Sequence, residues 1–249
     1  MAITMQFHQL ITVEIETAEN SCIALLGGGG KTALLHKLAD EYSRSFPAVL
    51  QTSLTKTAFH KSDNPLILNE IDIDQLDLMK FGRNPLFIIG EKLSDEKLKG
   101  ISEFDLNRIR KLFSVTIFEC DGARNKPFKA HTAYDPKVPE FTTHVIIIVG
   151  ADVVNTKIDE GLVHRPELFC KTWNIKPDFK LEIDFIVDVL TSQKGYLSKV
   201  DHKTEITYFV NKWDNHQKNA ENLAVAIHKR VNMPTFFGSV RKNILNKVQ

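Results

Sequence analysis

The sequence predicts a three-layer α/β domain with a mostly parallel sheet. Six short apolar runs have strand length and little alternation, and they cover residues 21–26, 48–52, 86–89, 115–118, 144–149 and 206–210. Runs of this kind are typical of strands that are covered on both faces. Segments with helical spacing lie between them, at residues 32–42, 104–112, 183–190 and 220–231. Alternating strands and helices indicate a layered α/β architecture.

The chain of 249 residues has no internal repeat, low-complexity tract or long linker, so we expect a single domain over residues 1–249. Residues 134–139, with two prolines, read as an irregular loop. Residues 54–84 carry the weakest pattern.

The net charge and the cysteine content argue against several classes of function. Lys and Arg total 32 against 31 Asp and Glu, a formal charge of +1, so no global field favours nucleic acid or an anionic membrane. Cys22, Cys120 and Cys170 form no C-x-x-C pair, which argues against disulfides and structural zinc, and the nine histidines show no metal spacing. Neither a signal peptide nor a membrane-length apolar run is recognisable. We therefore expect a cytoplasmic protein without a membrane or nucleic-acid partner.

Four consecutive glycines, Gly27, Gly28, Gly29 and Gly30, separate the first apolar run from a helical segment that opens with Lys31 and Thr32. This is the layout of a P-loop. The glycine amides and the helix N-terminus can converge on phosphate oxygens, Lys31 can reach the terminal phosphates, and the Thr32 hydroxyl can ligate magnesium. The segment therefore predicts a nucleoside triphosphate site.

The spacing departs from the usual G-x-x-x-x-G-K-[ST], which requires glycine where this chain has Leu25. The shorter Gly27-x-x-Gly30-Lys-Thr resembles the loop of the Mur-ligase type of ATP enzyme. A dinucleotide fingerprint is a rival interpretation, but it needs Gly or Ala at Thr32 and an acid at the end of the second strand, where residues 50–53 read Leu-Gln-Thr-Ser. A merely flexible turn is a further alternative, and it leaves the Lys-Thr pair unexplained.

Two acids, Glu119 and Asp121, end the strand predicted at 115–118. In P-loop enzymes an acid at this place holds magnesium and helps to orient water. Their spacing puts both on one side of the strand and Cys120 on the other. Asp121 is the first choice for the metal and Glu119 the second; a helix cap or surface turn is the alternative.

Three cations follow, Arg124, Lys126 and Lys129. Such side chains can neutralise charge on a transferred phosphoryl group or bind an anionic substrate. A solvated loop is the alternative interpretation.

Asn211, Lys212 and Asp214 form an Asn-Lys-x-Asp pattern after the strand predicted at 206–210. This is the guanine-reading element of GTP-binding proteins, in which the Asp accepts hydrogen bonds that adenine cannot donate. Ligands bind at the carboxyl ends of parallel strands, so the phosphate, metal and base elements are expected to meet there.

Six motifs carry a resemblance to a known family: Gly-Gly-Gly-Gly-Lys-Thr at 27–32, Thr-Ser-Leu-Thr-Lys at 52–56, Glu-Cys-Asp-Gly-Ala-Arg at 119–124, Pro-Phe-Lys-Ala at 127–130, Val-His-Arg-Pro-Glu at 163–167 and Asn-Lys-Trp-Asp at 211–214. Together they resemble the YqeC family over about residues 21–240. The chain departs from the family pattern at 53–54 and 134–139. The resemblance implies an accessory role for selenium-dependent molybdenum hydroxylases, in selenium cofactor biosynthesis.

The sequence thus predicts a protein that binds Mg²⁺ and GTP, or ATP, and hydrolyses the nucleotide. The nucleotide-binding residues are Gly27, Gly28, Gly29, Gly30, Lys31, Thr32, Asn211, Lys212 and Asp214; the catalytic ones are Lys31, Glu119, Asp121 and Arg124; and the metal ligands are Thr32 and Asp121. The resemblance implies a molybdenum hydroxylase, or its cofactor machinery, as partner. An ATP-dependent kinase or ligase and a non-catalytic, nucleotide-switched chaperone are the alternatives.

Overall fold

A nine-stranded, mostly parallel sheet is the centre of the computed structural model, which describes residues 5–11, 20–58, 65–70, 84–95, 97–158 and 161–249. Helices cover both faces of the sheet. The predicted three-layer α/β fold is therefore confirmed.

The strands in the described ranges are β1 (Ser21–Gly27), β2 (Val49–Ser53), β3 (Thr57–Ala58), β4 (Leu66–Ile67), β5 (Leu86–Ile89), β6 (Glu91–Ser94), β7 (Lys97–Lys99), β8 (Val115–Glu119), β9 (Phe128–Lys129), β10 (His144–Gly150), β11 (Val163–His164), β12 (Glu205–Asn211), β13 (Thr235–Ser239) and β14 (Ile244–Lys247). The α-helices among the same residues are α1 (Lys31–Ser43), α2 (Glu103–Ile109), α3 (Pro166–Trp173), α4 (Ile183–Thr191) and α5 (Gln217–Val231). Short 3₁₀ helices span Phe7–Leu10, Leu68–Glu70, Arg110–Leu112, Ala151–Val153 and Tyr196–Lys199.

The main sheet has the strand order β14-β13-β12-β10-β1-β8-β2-β5-β4. Its neighbouring strands are parallel except β13 and β14. The central strand β1 pairs with β10 on one side and β8 on the other, and Gly27 lies opposite Ile148. The carboxyl ends of these parallel strands therefore open at one edge of the sheet.

Two apolar layers flank the sheet because successive side chains of a strand point to opposite faces. Ile23 and Leu25 of β1 pack against α1, whereas Ala24 and Leu26 belong to the core on the opposite face. That second core receives one or more side chains from each of α2, α3, α4 and α5. Full burial of a Leu or Ile side chain stabilises the fold by about 1.5–3 kcal/mol, so both faces require the apolar residues that the unalternated runs supply.

The six predicted strands and four predicted helices are all present, with ends that differ by a few residues. The predicted helix 104–112 changes to 3₁₀ geometry at Arg110–Leu112. Helix α3 and strands β13 and β14 were not predicted. Most of the weakly patterned segment 54–84 lies outside the described residues, namely 59–64 and 71–83, and the loop at 134–139 contains no helix or strand. No described helix combines the length and apolar character that crossing a membrane would require.

The edge of the sheet around Gly29 is closely packed. Gly29 has a φ of +83°, and a Cβ there would lie 2.4 Å from the amide nitrogen of Gly150 and 2.7 Å from its Cα. The backbone atoms of Gly150 cannot move away as the end of a flexible side chain could. The close contact between the two backbone segments therefore requires glycine at position 29.

We expect Gly29→Ala to lower the free energy of unfolding by about 3 kcal/mol, because left-handed strain and a backbone clash add. The matched control is Gly122→Ala, since a Cβ at Gly122 meets no atom within 4 Å. That control should change stability by less than about 0.5 kcal/mol. Urea denaturation of both variants measures the difference, and equal midpoints would contradict the packing role.

Candidate nucleotide site

The glycine loop connects the end of β1 to the start of α1. Gly27, Gly29 and Gly30 have φ values of +106°, +83° and +128°, which residues with a Cβ rarely adopt. A Cβ on Gly28 would lie 2.3 Å from the Lys126 carbonyl oxygen. The glycines are thus required by the backbone path and by the segments packed against the loop.

The first three amides of the loop already have protein acceptors. Gly27 donates to the Asp121 carboxylate at 3.0 Å, Gly28 to the Ile148 carbonyl at 3.0 Å, and Gly29 to the Lys126 carbonyl at 3.0 Å. The glycine pattern predicts that these amides converge on phosphate. In this conformation they hold the loop to the protein.

The backbone amides that lack a protein acceptor, which we call the open amides, follow directly in the chain at the start of α1. Within the described ranges, the amides of Gly30, Lys31, Thr32 and Ala33 have no acceptor, whereas Leu34 closes the first helical bond to Gly30. Unpaired amides and the helix dipole make this N-terminus suitable for an anion.

Asp121 is a fully buried carboxylate that receives four donors. Besides the Gly27 amide, Lys31 Nζ lies 3.1 Å from Oδ1, while Lys129 Nζ and His131 Nε2 lie 3.0 and 2.9 Å from Oδ2. Burial opposes its charged form, but Lys31, His131 and Lys129 outweigh that effect and hold the pKa of Asp121 well below its usual value. Asp121 therefore stays ionised and joins the loop to the segment after β8.

Lys31 is held beneath the glycine loop. Its ammonium donates to the Gly27 carbonyl and pairs with Asp121, and the side chain is 6% exposed. Burial disfavours the charged lysine, but Asp121 and Glu119 outweigh it and raise the pKa of Lys31. The charged ammonium is thus held between the Gly27 carbonyl and the Asp121 carboxylate.

Thr32 and Glu119 form the second polar contact of the site. The Thr32 hydroxyl donates to Glu119 Oε1 at 2.5 Å, and burial raises the pKa of Glu119 even though Lys31 and this hydrogen bond oppose the shift. Glu119 and Asp121 lie on the same side of the chain, and Cys120 is buried on the other face. The carboxylate next to the Thr32 hydroxyl is Glu119, the sequence's second choice for the metal. Hydroxyl and carboxylate oxygens suit Mg²⁺.

A buried ionic network that the sequence analysis did not predict extends from Asp121. Lys129 Nζ lies 2.8 Å from Asp135 Oδ2 and 2.7 Å from the Gly122 carbonyl oxygen, and Arg165 contacts the same Asp135 oxygen at 2.5 Å. Lys129 is fully buried, so it is no solvated loop residue. The only signal for His131 was its i, i+2 spacing from Lys129.

Arg124 lies on an exposed turn with a left-handed backbone, φ +47°. It is two residues before Lys126, whose carbonyl binds the glycine loop. Burial and the charges of Arg165, Lys129 and Arg124 lower the pKa of His164 to about 4. The charge of Arg124 therefore acts on His164. Lys126 is half-buried.

The Asn-Lys-x-Asp motif follows β12 and touches the glycine loop through Asn211. Asn211 Nδ2 donates to the Gly29 carbonyl at 2.7 Å, and its Oδ1 accepts from the Val240 amide at 3.1 Å. Lys212 has a φ of +69° and pairs with Asp152 at 2.6 Å. Asp214 is partly exposed, and in the described part of the chain its carboxylate has no hydrogen-bond or ion-pair partner.

The fold and these contacts define a three-layer α/β protein with a glycine loop between its central strand and the following helix. The family model described as YqeC protein matches residues 23–167, more than half of the chain. The chain therefore belongs to the YqeC family. It is also similar to the uncharacterized protein YqeC of Escherichia coli strain K12, with 26% identity over 194 residues, which cover 77% of this chain and 75% of that protein.

Asp121→Asn should lower the free energy of unfolding by about 3–5 kcal/mol at pH 7, because Lys31 and Lys129 lose their buried counter-charge. The unfolded state takes up a proton near the ordinary value of 3.8, whereas folded Asp121 resists it. The wild-type advantage is therefore complete above pH 3.8 and is lost as pH falls further, by about 1 kcal/mol at pH 3.

Urea unfolding at pH 7 and pH 3 tests this expectation, with Asp178→Asn at an exposed position as the control. Equal stability of the Asp121 variant and wild type at pH 7 would show that the carboxylate does not hold the loop.

Proposed function

We propose that this protein binds a magnesium nucleoside triphosphate, prefers GTP, and hydrolyses it. The observation that carries the proposal is the hydrogen bond from Asn211 Nδ2 to the Gly29 carbonyl. It ties a guanine-type base motif directly to a loop that ends in open helix amides. Phosphate and base elements from separate strands are thereby brought to one edge of the sheet.

The phosphate half of the proposal rests on Lys31 and the first turn of α1. Four amides, from Gly30 to Ala33, have no protein acceptor among the described residues, and the Lys31 ammonium is kept charged by Asp121 and Glu119. Both features favour the terminal phosphates of a nucleotide. Arg124, on the adjoining turn, adds positive charge that opposes the negative charge developing on a transferred phosphoryl group.

Thr32 and Glu119 would hold the metal, because a hydroxyl and a carboxylate already meet there at 2.5 Å. Magnesium bound at such oxygens supplies charge neutralisation to phosphates. Asp121, the sequence's first choice, has four donors on its carboxylate, and we assign it to holding Lys31 and Gly27. In this proposal Glu119 also orients a water molecule.

The base half of the proposal rests on Asp214. Its partly exposed carboxylate has no partner in the described ranges, so it is available to accept from the N1–H and 2-amino groups of guanine. Adenine offers neither donor at those positions. A carboxylate left unpaired against adenine would disfavour ATP.

Family membership supports a pathway in which the proposed nucleotide hydrolysis takes place. The resemblance to the YqeC family supports a role as accessory factor in the maturation of selenium-dependent molybdenum hydroxylases. In that role, nucleotide turnover would accompany delivery or modification of the hydroxylase cofactor.

Asp214→Asn should weaken GTP binding about 100-fold, because two hydrogen bonds to a charged acceptor are lost. ATP binding should stay the same, and xanthosine triphosphate should gain affinity, because the Asn amide can donate to its 2-carbonyl. Calorimetric titration with each nucleotide and magnesium measures this, with Asp178→Asn as the exposed control. An ATP preference that the Asp214 variant leaves intact would favour a kinase or ligase.

Thr32→Ala and Glu119→Gln should each remove most of the affinity that magnesium adds to GTP binding, about tenfold or more, because the first deletes an expected oxygen ligand and the second replaces a charged carboxylate by a neutral amide. Asp121→Asn should weaken GTP binding equally with and without magnesium, because it acts through Lys31. Titrations in magnesium and in EDTA separate the two patterns. If Asp121→Asn instead removes the effect of magnesium, and Thr32→Ala and Glu119→Gln do not, then Asp121 is the metal ligand.

A further inference from the structure

The Val-His-Arg-Pro-Glu motif at 163–167 brings Arg165 to the outer end of the buried ionic network. Strand β11 pairs in parallel with β9, and the Ala130 amide donates to the His164 carbonyl at 3.0 Å. Arg165 follows directly, and among the described residues Asp135 is the one carboxylate within salt-bridge distance of it. The guanidinium therefore has a fixed place beside the site, and the proposed nucleotide chemistry makes no use of it.

One edge of the Arg165 guanidinium is left for a ligand. Its Nη1 is the nitrogen that contacts the protein, 2.5 Å from Asp135 Oδ2 and 3.4 Å from the Ala130 carbonyl oxygen. Nε and Nη2 have no hydrogen-bond partner in the described ranges, and 34% of the side chain is exposed. Because the guanidinium is planar, the edge formed by Nε and Nη2 points away from Nη1 and Asp135. That edge presents two parallel N–H groups, the arrangement that binds an oxyanion in a bidentate manner.

The backbone conformation at Arg165 and Arg124 is unusual for a cationic residue. Nine residues other than glycine have a left-handed φ in the described part of the chain; six are asparagine, and the remaining three are Arg124, Arg165 and Lys212. Asparagine tolerates this conformation best after glycine. The proline that follows Arg165 also favours an extended backbone there. Lys212 uses its charge to pair with Asp152. The two arginines are thus present against the preference of the backbone, which indicates a role for their side chains.

Arg124 supplies a second cation to the same place. It is exposed, and it has no hydrogen-bond or ion-pair partner among the residues that the structure describes. Burial and the charges of Arg165, Lys129 and Arg124 lower the pKa of His164, so both arginines lie close enough to act on this one ring.

The buried network alone has no excess charge when all its groups are ionised. Its three cations face three carboxylates, namely Lys31, Lys129 and Arg165 against Asp121, Asp135 and Glu119. Arg124 is outside these pairs. Its charge is therefore the one that remains for a ligand with two negative charges.

We propose that Arg165 and Arg124 bind the phosphate group of a small phosphorylated ligand, with Nε and Nη2 of Arg165 donating to two of its oxygens and Arg124 neutralising its second negative charge. A phosphate dianion is preferred to a carboxylate because it offers two negative charges to the two guanidinium groups. The site uses none of the open amides of α1, so the proposal does not rest on nucleotide binding there. It gives the protein a place for a second ligand beside the proposed nucleotide site.

The NMR resonance of the Arg165 Nε–H group reports binding at this site directly, and it is assigned as the Nε signal that disappears in Arg165→Lys. At about pH 7 a phosphate ester is mostly a dianion. We expect methyl phosphate to shift this resonance in the full-length protein, and acetate to bind about tenfold more weakly by the same signal. Phosphate bound to the open amides of α1 does not contact Arg165 Nε, so it does not produce this shift.

Arg165→Lys keeps a positive charge for Asp135 but replaces the planar fork by a single ammonium. Methyl phosphate should bind this variant about tenfold more weakly, as followed by the ring resonances of His164. The matched control is Arg44→Lys, at an exposed arginine that pairs with Asp40, and it should bind like wild type. Arg124→Gln removes the second charge, so it should weaken methyl phosphate several-fold and acetate less.

An unmoved Arg165 Nε resonance, equal affinity for acetate, or unchanged affinity in either the Arg165 or the Arg124 variant would overturn the proposal. The wild-type measurement decides even if a variant fails to fold. Magnesium GTP is titrated separately. If the nucleotide displaces methyl phosphate from this signal, Arg165 belongs to the nucleotide site and the proposal of a second ligand is also overturned. If GTP does not bind at all, the nucleotide proposal fails and the methyl phosphate result still stands.

Discussion

The buried charge of Asp121 is the constraint on which the site depends. An ionised carboxylate without solvent costs several kcal/mol unless donors surround it. Lys31, Lys129, His131 and the Gly27 amide supply those donors, and they come from the loop after β1 and the segment after β8. Satisfying one charge therefore fixes the end of the central strand, the Lys31 side chain beneath the loop and the His131 ring in one arrangement.

Paired and unpaired backbone amides occupy different parts of the glycine loop and the start of α1. The amides of Gly27, Gly28 and Gly29 serve the protein, and contacts with backbone at Lys126 and Gly150 exclude a Cβ at Gly28 and Gly29. The amides that remain open belong to the first turn of α1. Glycine is thus needed so that three neighbouring segments can close around the loop, and the helix that follows presents its N-terminus with its donors unpaired.

The sequence was sufficient for the parts that depend on local pattern. Apolar runs without alternation identified six strands, and the spacing of Glu119 and Asp121 placed both acids on one side of β8. Which acid meets Thr32 depends on side-chain contacts across 87 residues of chain, and no local period encodes that choice. The same holds for His131 and Asp135, whose importance comes from partners rather than from spacing. Helix α3 is too short, at eight residues, to show a clear period.

The base motif can be separated into what the fold explains and what it does not. Asn211 uses both ends of its amide, as donor to Gly29 and acceptor from Val240, so an Asp or Leu there would lose one or both bonds. Lys212 neutralises Asp152 beside the loop. Both residues therefore have partners within the protein itself. Asp214 has no such partner among the described residues, so the contacts of the fold do not explain this residue.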